Sequence, residues 1–341
     1  MSDRLLKLMF EGGGVRAHFV RIDKSWLDVA SRHSEPPEVL SLLGEMSCAS
    51  ILFSASLKYQ GSVILQIHGD GPVRLAVAEC NSKLGFRSTV KMSETPEVKP
   101  GASWQNLVNQ NNQGRFSVVL DPKVAAQQPY QGIVPLHQAG LAQALESYMS
   151  QSEQLPTRLW LACDGERAAG LLLQKLPTVI ASRDSGAAIA TGPSGPRNDD
   201  LNVIEAPANE PIIARRAKPD VAIHDDDEWE RLIALACTVT PEELLKTDPQ
   251  TLLHQLFWEE KPRLLEDQAV EFFCPCSREK VGRMLRTLGT EEVADILSEQ
   301  GQVEVNCDFC NTAYAFDAVD CAQLFKAGHP SGATTGSKTL H

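Results

Sequence analysis

CPCSREKVGRMLRTLGTEEVADILSEQGQVEVNCDFC, residues 274–310, decides what the carboxy-terminal part of this chain must be. It opens on a C-x-C pair, Cys274 and Cys276. It closes on a C-x-x-C pair, Cys307 and Cys310, with thirty residues between the pairs. Each pair holds two sulfurs close enough to share one metal ion. Two such pairs offer four thiolates in a tetrahedron, the arrangement zinc takes in a closed site. The residues between can build that closure. Ser277 reads as the cap of a helix over Arg278–Leu288, with Val281, Met284, Leu285 and Leu288 inward and Gly289 ending it. Thr290 reads as the cap of a second helix, with Val293, Ile296 and Leu297 inward. Val303–Val305 and Ala313–Phe316 flank Cys307 and Cys310 as a β-hairpin. Two helices and a hairpin make a small core, and bound metal can add on the order of 10 kcal/mol of folding energy.

A static structural zinc is one reading of this site, in a constitutive zinc-stabilised protein-interaction module. Two features favour a switch. C-x-C is tighter than the usual zinc-knuckle spacing, and it sets two sulfurs where they can also bond each other in a small, strained ring; strained disulfides are the labile kind. The small domain also follows marginal helices and a flexible stretch, so losing its metal has large consequences. Other chemistries fit less well. Residues 264–326 hold 5 Lys+Arg against 12 Asp+Glu, and a zinc ion with four thiolates adds further negative charge, which repels phosphates and argues against nucleic acid. A catalytic zinc needs an open position and usually a His or carboxylate ligand; His254 and His329 stand at no ligating spacing. No Ser/His/Asp set stands out, and an enzyme is not expected.

The other cysteines are single. Cys48, Cys80, Cys163 and Cys237 sit in apolar surroundings and read as small buried hydrophobes, and Cys321 reads as a buried thiol on a terminal helix. An odd total of nine does not suit full disulfide pairing.

Upstream, residues 225–262 read as a set of short helices. Asp225–Asp227 place negative charge at a helix start, and Trp229, Leu232, Ile233 and Ala236 form an apolar stripe. Thr240-Pro241-Glu242-Glu243 has capping-box spacing with proline at the first helical position. Asp248-Pro249 opens another helix with Leu252, Leu253, Leu256 and Phe257 apolar. Such short helices are marginal alone and must dock on something. Residues 182–224, rich in glycine, proline, serine and charge, read as a flexible linker, and 327–341 as a disordered tail.

Residues 1–181 read as an α+β core domain. Expected helices cover residues 23–33, a long stretch opened by Pro36 and Pro37 and running through Lys58, and Leu141–Met149. A hairpin joins Ser62–His68 to Val73–Glu79 through Gly69-Asp70-Gly71-Pro72. Further strands are expected at Phe86–Met92, Phe116–Leu120, Gln131–Val134, Arg158–Ala162 and Gly170–Leu176. Glu11-Gly12-Gly13-Gly14 completes no phosphate-binding pattern and reads as a tight turn. The chain has 341 residues, room for about two domains. A net charge of -12 speaks against a general nucleic-acid binder, and 43% apolar residues suffice for a real core. No apolar run approaches the ~18 residues of a membrane helix. Asp3, Arg4 and Lys7 interrupt the start, so a signal peptide is not expected and a cytoplasmic location is.

Taken together these residues resemble a known family, the redox-regulated heat-shock protein 33 chaperones. The carrying motifs run in family order. They are FEGGGVRAHFVRID (Phe10–Asp23), QIHGDGPVRLAVAEC (Gln66–Cys80), YQGIVPL (Tyr130–Leu136), SEQLPTRLWLA (Ser152–Ala162), EELL (Glu242–Leu245), LLHQLFWEE (Leu252–Glu260), CPCSRE (Cys274–Glu279) and CDFC (Cys307–Cys310). The resemblance implies an ATP-independent holdase with a client-binding core over 1–181, a metastable helical linker over 225–262 and a zinc redox-switch domain over 263–326. The four ligand positions fall on Cys274, Cys276, Cys307 and Cys310, holding one Zn2+ per reduced chain. Oxidation would form Cys274–Cys276 and Cys307–Cys310 disulfides, release zinc and undock the linker, with a homodimer as the oxidised form. Unfolding proteins are the implied partners, with no nucleic acid and no membrane. Residues 182–224 exceed the family's usual passage from core to linker.

Overall fold

A computed structural model of the chain describes residues 3–57, 60–122, 128–177 and 226–326. The expected flexible linker over 182–224 and tail over 327–341 lie outside the described residues. Two compact units divide the chain, Met1–Phe272 and Phe273–His341.

In chain order the first unit runs β1 (Arg4–Met9), β2 (Val15–Ile22), α1 (Lys24–Ala30), α2 (Pro37–Ser56), β3 (Gly61–His68), β4 (Val73–Asn81), β5 (Gly85–Met92), α3 (Trp104–Val108) and β6 (Arg115–Pro122). It continues through β7 (Tyr130–Val134), α4 (Leu141–Ser152), β8 (Thr157–Cys163), β9 (Ala168–Lys175), α5 (Asp226–Ala236), α6 (Pro241–Lys246), α7 (Pro249–Phe257), β10 (Arg263–Ala269) and β11 (Glu271–Phe272). One sheet has the order β10-β1-β2-β9-β8, the other β11-β5-β4-β3-β6-β7. All pairs are antiparallel except β11 beside β5. The unit is α+β, as the spacing of helices and strands predicts.

Helix α2 packs against strands of both sheets, β2, β8 and β9 on one and β3, β4 and β5 on the other. That position explains its composition. Leu43, Met46, Ile51 and Leu52 are fully buried, and small residues let the sheets approach closely. A side-chain carbon at Gly44 would lie 2.5 Å from Cys163 Sγ. The buried hydroxyl of Ser47 donates to the Leu43 carbonyl at 2.8 Å and lies 2.8 Å from Ser88 Oγ, so it satisfies itself without water. By length and hydropathy α2 could cross a membrane, against the expectation that no such run exists. In this fold it is the central core helix.

The central strands of the first sheet, β2 and β9, are buried on both faces. The sheet's inner face meets α2. Its outer face presents Leu6, Leu8, Phe19, Leu171 and Leu173, and these form one buried cluster with Trp229, Leu232, Leu245, Leu252, Leu253 and Phe257 of α5–α7. The short helices dock there as their stripes require. Thr240 and Glu243 close the capping box on α6, and Asp248 accepts from the Thr251 amide at the start of α7. Arg21 of β2 donates to the Thr247 carbonyl, 2.7 Å away, at the corner between α6 and α7.

Three expectations change here. The glycine turn at residues 11–14 joins two strands, β1 and β2, that alternation does not reveal, because β2 is buried on both faces. Residues 263–272 belong to the sheets of the first unit as β10 and β11, so the cysteine domain starts later than Arg263. Cys237, just past the end of α5, is exposed, while Cys48 and Cys80 are buried and Cys163 is partly so.

The second unit runs α8 (Arg278–Leu288), α9 (Thr290–Gln300), β12 (Val303–Asn306), β13 (Ala313–Phe316) and α10 (Ala318–Lys326). Its buried core is Leu285, Val293, Val303, Phe316 and Cys321, with Val281, Ile296, Leu297 and Tyr314 partly buried around it. Met284 and Leu288 were expected inward but are 50% and 47% exposed. The inward stripe of α8 is narrower and runs through Val281, Gly282 and Leu285, where Gly282 lets Leu324 of α10 close in. Thr290 is the first residue of α9 and not its cap; Gly289, at φ 111°, turns the chain and takes the cap position.

Candidate metal centre

Four sulfurs come together in the second unit. Cys274 and Cys276 lie on the extended segment before α8. Ser277 follows directly, and its hydroxyl accepts from the Lys280 amide to start that helix. Cys307 and Cys310 lie in the turn between β12 and β13. There the Cys307 amide donates to the Thr312 carbonyl (3.0 Å) and the Asn311 amide to the Cys307 carbonyl (2.8 Å), with Asn311 at φ 56°. Asparagine tolerates that left-handed position better than most residues, so the turn is locally encoded.

All four Sγ atoms lie within 4.8 Å of one another. Cys274 to Cys307 is 3.7 Å, and Cys276 to Cys310 is 3.3 Å. A tetrahedron of thiolates around zinc, with bonds of about 2.3 Å, has edges of about 3.8 Å. The donor set holds thiols alone, and the spacing fits a closed four-thiolate site. Each cysteine is partly exposed, so small solutes reach the sulfurs.

Hydroxyl groups surround the cluster. Tyr314 Oη donates to Cys276 Sγ at 3.1 Å, and Thr312 Oγ1 lies 3.1 Å from Cys310 Sγ. Burial works against ionisation of Cys310. Hydrogen bonds from the Thr312 hydroxyl and amide, Cys276 and Cys307 outweigh it and bring the thiol down to about 6. Burial pushes the Cys307 thiol up. The bond to Cys276 pushes the Tyr314 phenol up to about 12. Neither Thr312 nor Tyr314 figures in the sequence reading; the available signal is a hydroxyl two and four residues after the second cysteine pair.

Four residues after Cys274, the Arg278 guanidinium lies 4.1 Å from the centre of the Phe316 ring, donates to the Ala315 carbonyl (2.6 Å) and pairs with Asp320 (2.7 Å). It ties the start of α8 to β13 and α10. Cys321 lies in the core of the unit and outside the sulfur cluster.

A family model described as Hsp33 protein matches residues 3–317. The 33 kDa chaperonin of Methylobacillus flagellatus is 42% identical over 326 residues, 95% of each chain. That of Chromobacterium violaceum is 39% identical over 323 residues, covering 95% of this chain and 94% of its own. The crystal structure of the 33 kDa chaperonin of Thermotoga maritima, at 22% identity, shares the fold with a TM-score of 0.70, over 96% of this chain and 99% of that one. Matched by the family model over residues 3–317 and by chaperonins 42% and 39% identical over 95% of its length, the chain belongs to the Hsp33 family.

Proposed function

We propose that this chain is a redox-regulated, ATP-independent chaperone, a holdase that captures unfolding proteins under oxidative stress. The family is one of chaperones and not of enzymes. One observation carries the reading. A single chain holds four accessible, mutually adjacent sulfurs together with an apolar sheet face covered, among the described residues, by short helices.

Cys274, Cys276, Cys307 and Cys310 would hold one Zn2+ in the reduced chain. Holding it, these cysteines would join the β12–β13 turn to the segment before α8, and binding would add folding energy to a five-residue core. The chain's own chemistry does the rest. A thiolate attacks peroxide: an S–O bond forms, the O–O bond breaks and hydroxide leaves. The sulfenic acid condenses with a neighbouring thiol to a disulfide, releasing water. Cys274–Cys276 and Cys307–Cys310 are the pairs expected, since short tethers keep those partners together as the unit loosens. Paired sulfurs no longer ligate metal, and the small core loosens. Cys274 stands two residues after β11, and β10 and β11 connect it in sequence to the linker helices, so order lost at the cysteines would be passed back along those strands. Undocking of α5–α7 would then uncover the outer sheet face and the stripes that covered it, the apolar surface a holdase needs. The docked helices bury many apolar side chains, so full release takes mild heat as well as oxidant. The reading also includes a cytoplasmic location and a homodimeric oxidised form.

The test measures zinc content and suppression of client aggregation on one preparation, before and after peroxide at mild heat. Zinc loss with a gain of client protection, reversed by reductant and zinc, supports the switch. Equal protection by both forms leaves a constitutive module with a structural metal.

A further inference from the structure

Cys276 and Cys310 each have a hydroxyl partner besides the neighbouring thiols. Tyr314 projects from β13, its ring partly buried against the small core, and its Oη donates to Cys276 Sγ at 3.1 Å. Thr312 does the corresponding thing at Cys310, where either group can donate. A thiolate that accepts a hydrogen bond carries less available charge on sulfur, and its lone pair is less free to attack. A phenylalanine would pack the same ring, so what the hydroxyl adds is its bond to sulfur.

We propose that Tyr314 is a positioning residue that sets the oxidant threshold of the cluster: its hydroxyl orients Cys276 Sγ and slows its attack on peroxide. The proposal rests on the redox reading above. In the step concerned, Cys276 sulfur forms a bond to one peroxide oxygen, the O–O bond breaks, and the departing oxygen leaves as hydroxide and takes a proton from water. The sulfur is oxidised and the peroxide reduced. Attack draws the sulfur's electron pair away from the phenol, so the hydrogen bond is stronger before the step than during it. Losing such a bond to a charged acceptor, with about half its strength felt in the transition state, speeds the step about three- to tenfold. The Tyr314 hydroxyl therefore keeps the cluster reduced at low peroxide and permits oxidation when peroxide rises.

The test compares the full-length, reduced, zinc-loaded chain with its Tyr314→Phe variant. Zinc release is followed with a chromogenic chelator, with and without peroxide. Modification of Cys276 relative to Cys274 by iodoacetamide is read by mass spectrometry in the same molecules. We expect peroxide-driven release about three- to tenfold faster in Y314F, chelator-only release unchanged, and a raised Cys276:Cys274 ratio. If the variant merely loosens the unit, chelator-only release accelerates and both cysteines gain equally; that result overturns the proposal. So does release at the wild-type rate in a wild type that responds to peroxide, and the redox reading then stands. If the wild type itself keeps its zinc at every peroxide dose, the redox reading fails and the proposal with it. Thr312→Val gives an independent arm, with the corresponding rise expected in the Cys310:Cys307 ratio.

Discussion

Phe257→Ala asks directly what holds the linker helices down. Phe257 ends α7, is fully buried, and meets Phe10 edge to face with ring centres 5.2 Å apart and planes at 81°. Truncating a buried phenylalanine costs about 3–5 kcal/mol when the core cannot close over the gap. The edge-to-face pair accounts for about 1 kcal/mol of that. The question is where the loss falls. Helix α7 has nine residues, too few to persist alone, so its existence depends on docking. The two sheets and α2 keep a separate core to which Phe257 contributes nothing. The loss therefore falls on the docking equilibrium. At about 1.4 kcal/mol per factor of ten, the undocked fraction rises by roughly two orders of magnitude or more. Reduced, zinc-loaded F257A should suppress client aggregation in part without any oxidant, seen by light scattering. Trypsin should cut it faster at Arg231 and Lys246 while the cysteine unit keeps its zinc. If the variant instead melts as a whole at a lower temperature, with no client protection and no preferential cutting at those sites, α7 is an integral part of the core and the undocking argument is wrong.

Further expectations follow from the same contacts. Replacing Cys307 and Cys310 together by serine leaves two of four thiols in the cluster, and zinc content measured after gel filtration should fall to near zero. His18 is 3% exposed with Ser56 Oγ 3.2 Å from Nδ1; burial, then the charges of Arg16 and Lys7, hold its imidazole down to about 3. The folded chain keeps it neutral while the unfolded chain protonates near 6.5, so its contribution is full above that pH and is lost as pH falls from 6.5 toward 3. Calorimetry across that window should show a smaller loss of Tm in His18→Gln than in the wild type. Thr240→Ala breaks the capping box of α6 and should cost about 1 kcal/mol, read as faster hydrogen exchange in α6 with the strands of the second sheet unchanged.

The cysteine unit was the most legible part of the chain, because its signals are local. Ser277, Gly289 and the two cysteine pairs each act on neighbours a few residues away, and α8, α9 and the hairpin fall where those residues put them. The linker helices were legible for the same reason, through Thr240, Pro241, Asp248 and Pro249. What escaped is non-local. Strand β2 is covered by α2 on one face and by α5–α7 on the other, so its burial does not alternate, and RLLKLM of β1 carries no clear period either. β10 is almost wholly exposed, and only its pairing with β1 defines it. Met284 and Leu288 satisfy helical spacing yet stand at the surface, since periodicity gives a face and not its width. The hydroxyl bonds to sulfur depend on how β13 folds back over the turn, which spacing alone does not reveal.

Strand β9 ends at Lys175 and β10 begins at Arg263, and both are members of the same sheet. Helices α5–α7 thus lie within a closed loop whose two ends are pinned to the surface they cover. Once undocked they cannot diffuse away. They stay near their own binding face at an effective concentration that dilution does not lower. Any client on that face competes with a tethered, covalently supplied rival. Under the proposed switch, capture would depend on how long the loop is kept from folding back, and release would need no nucleotide, because the displacing ligand is already part of the chain.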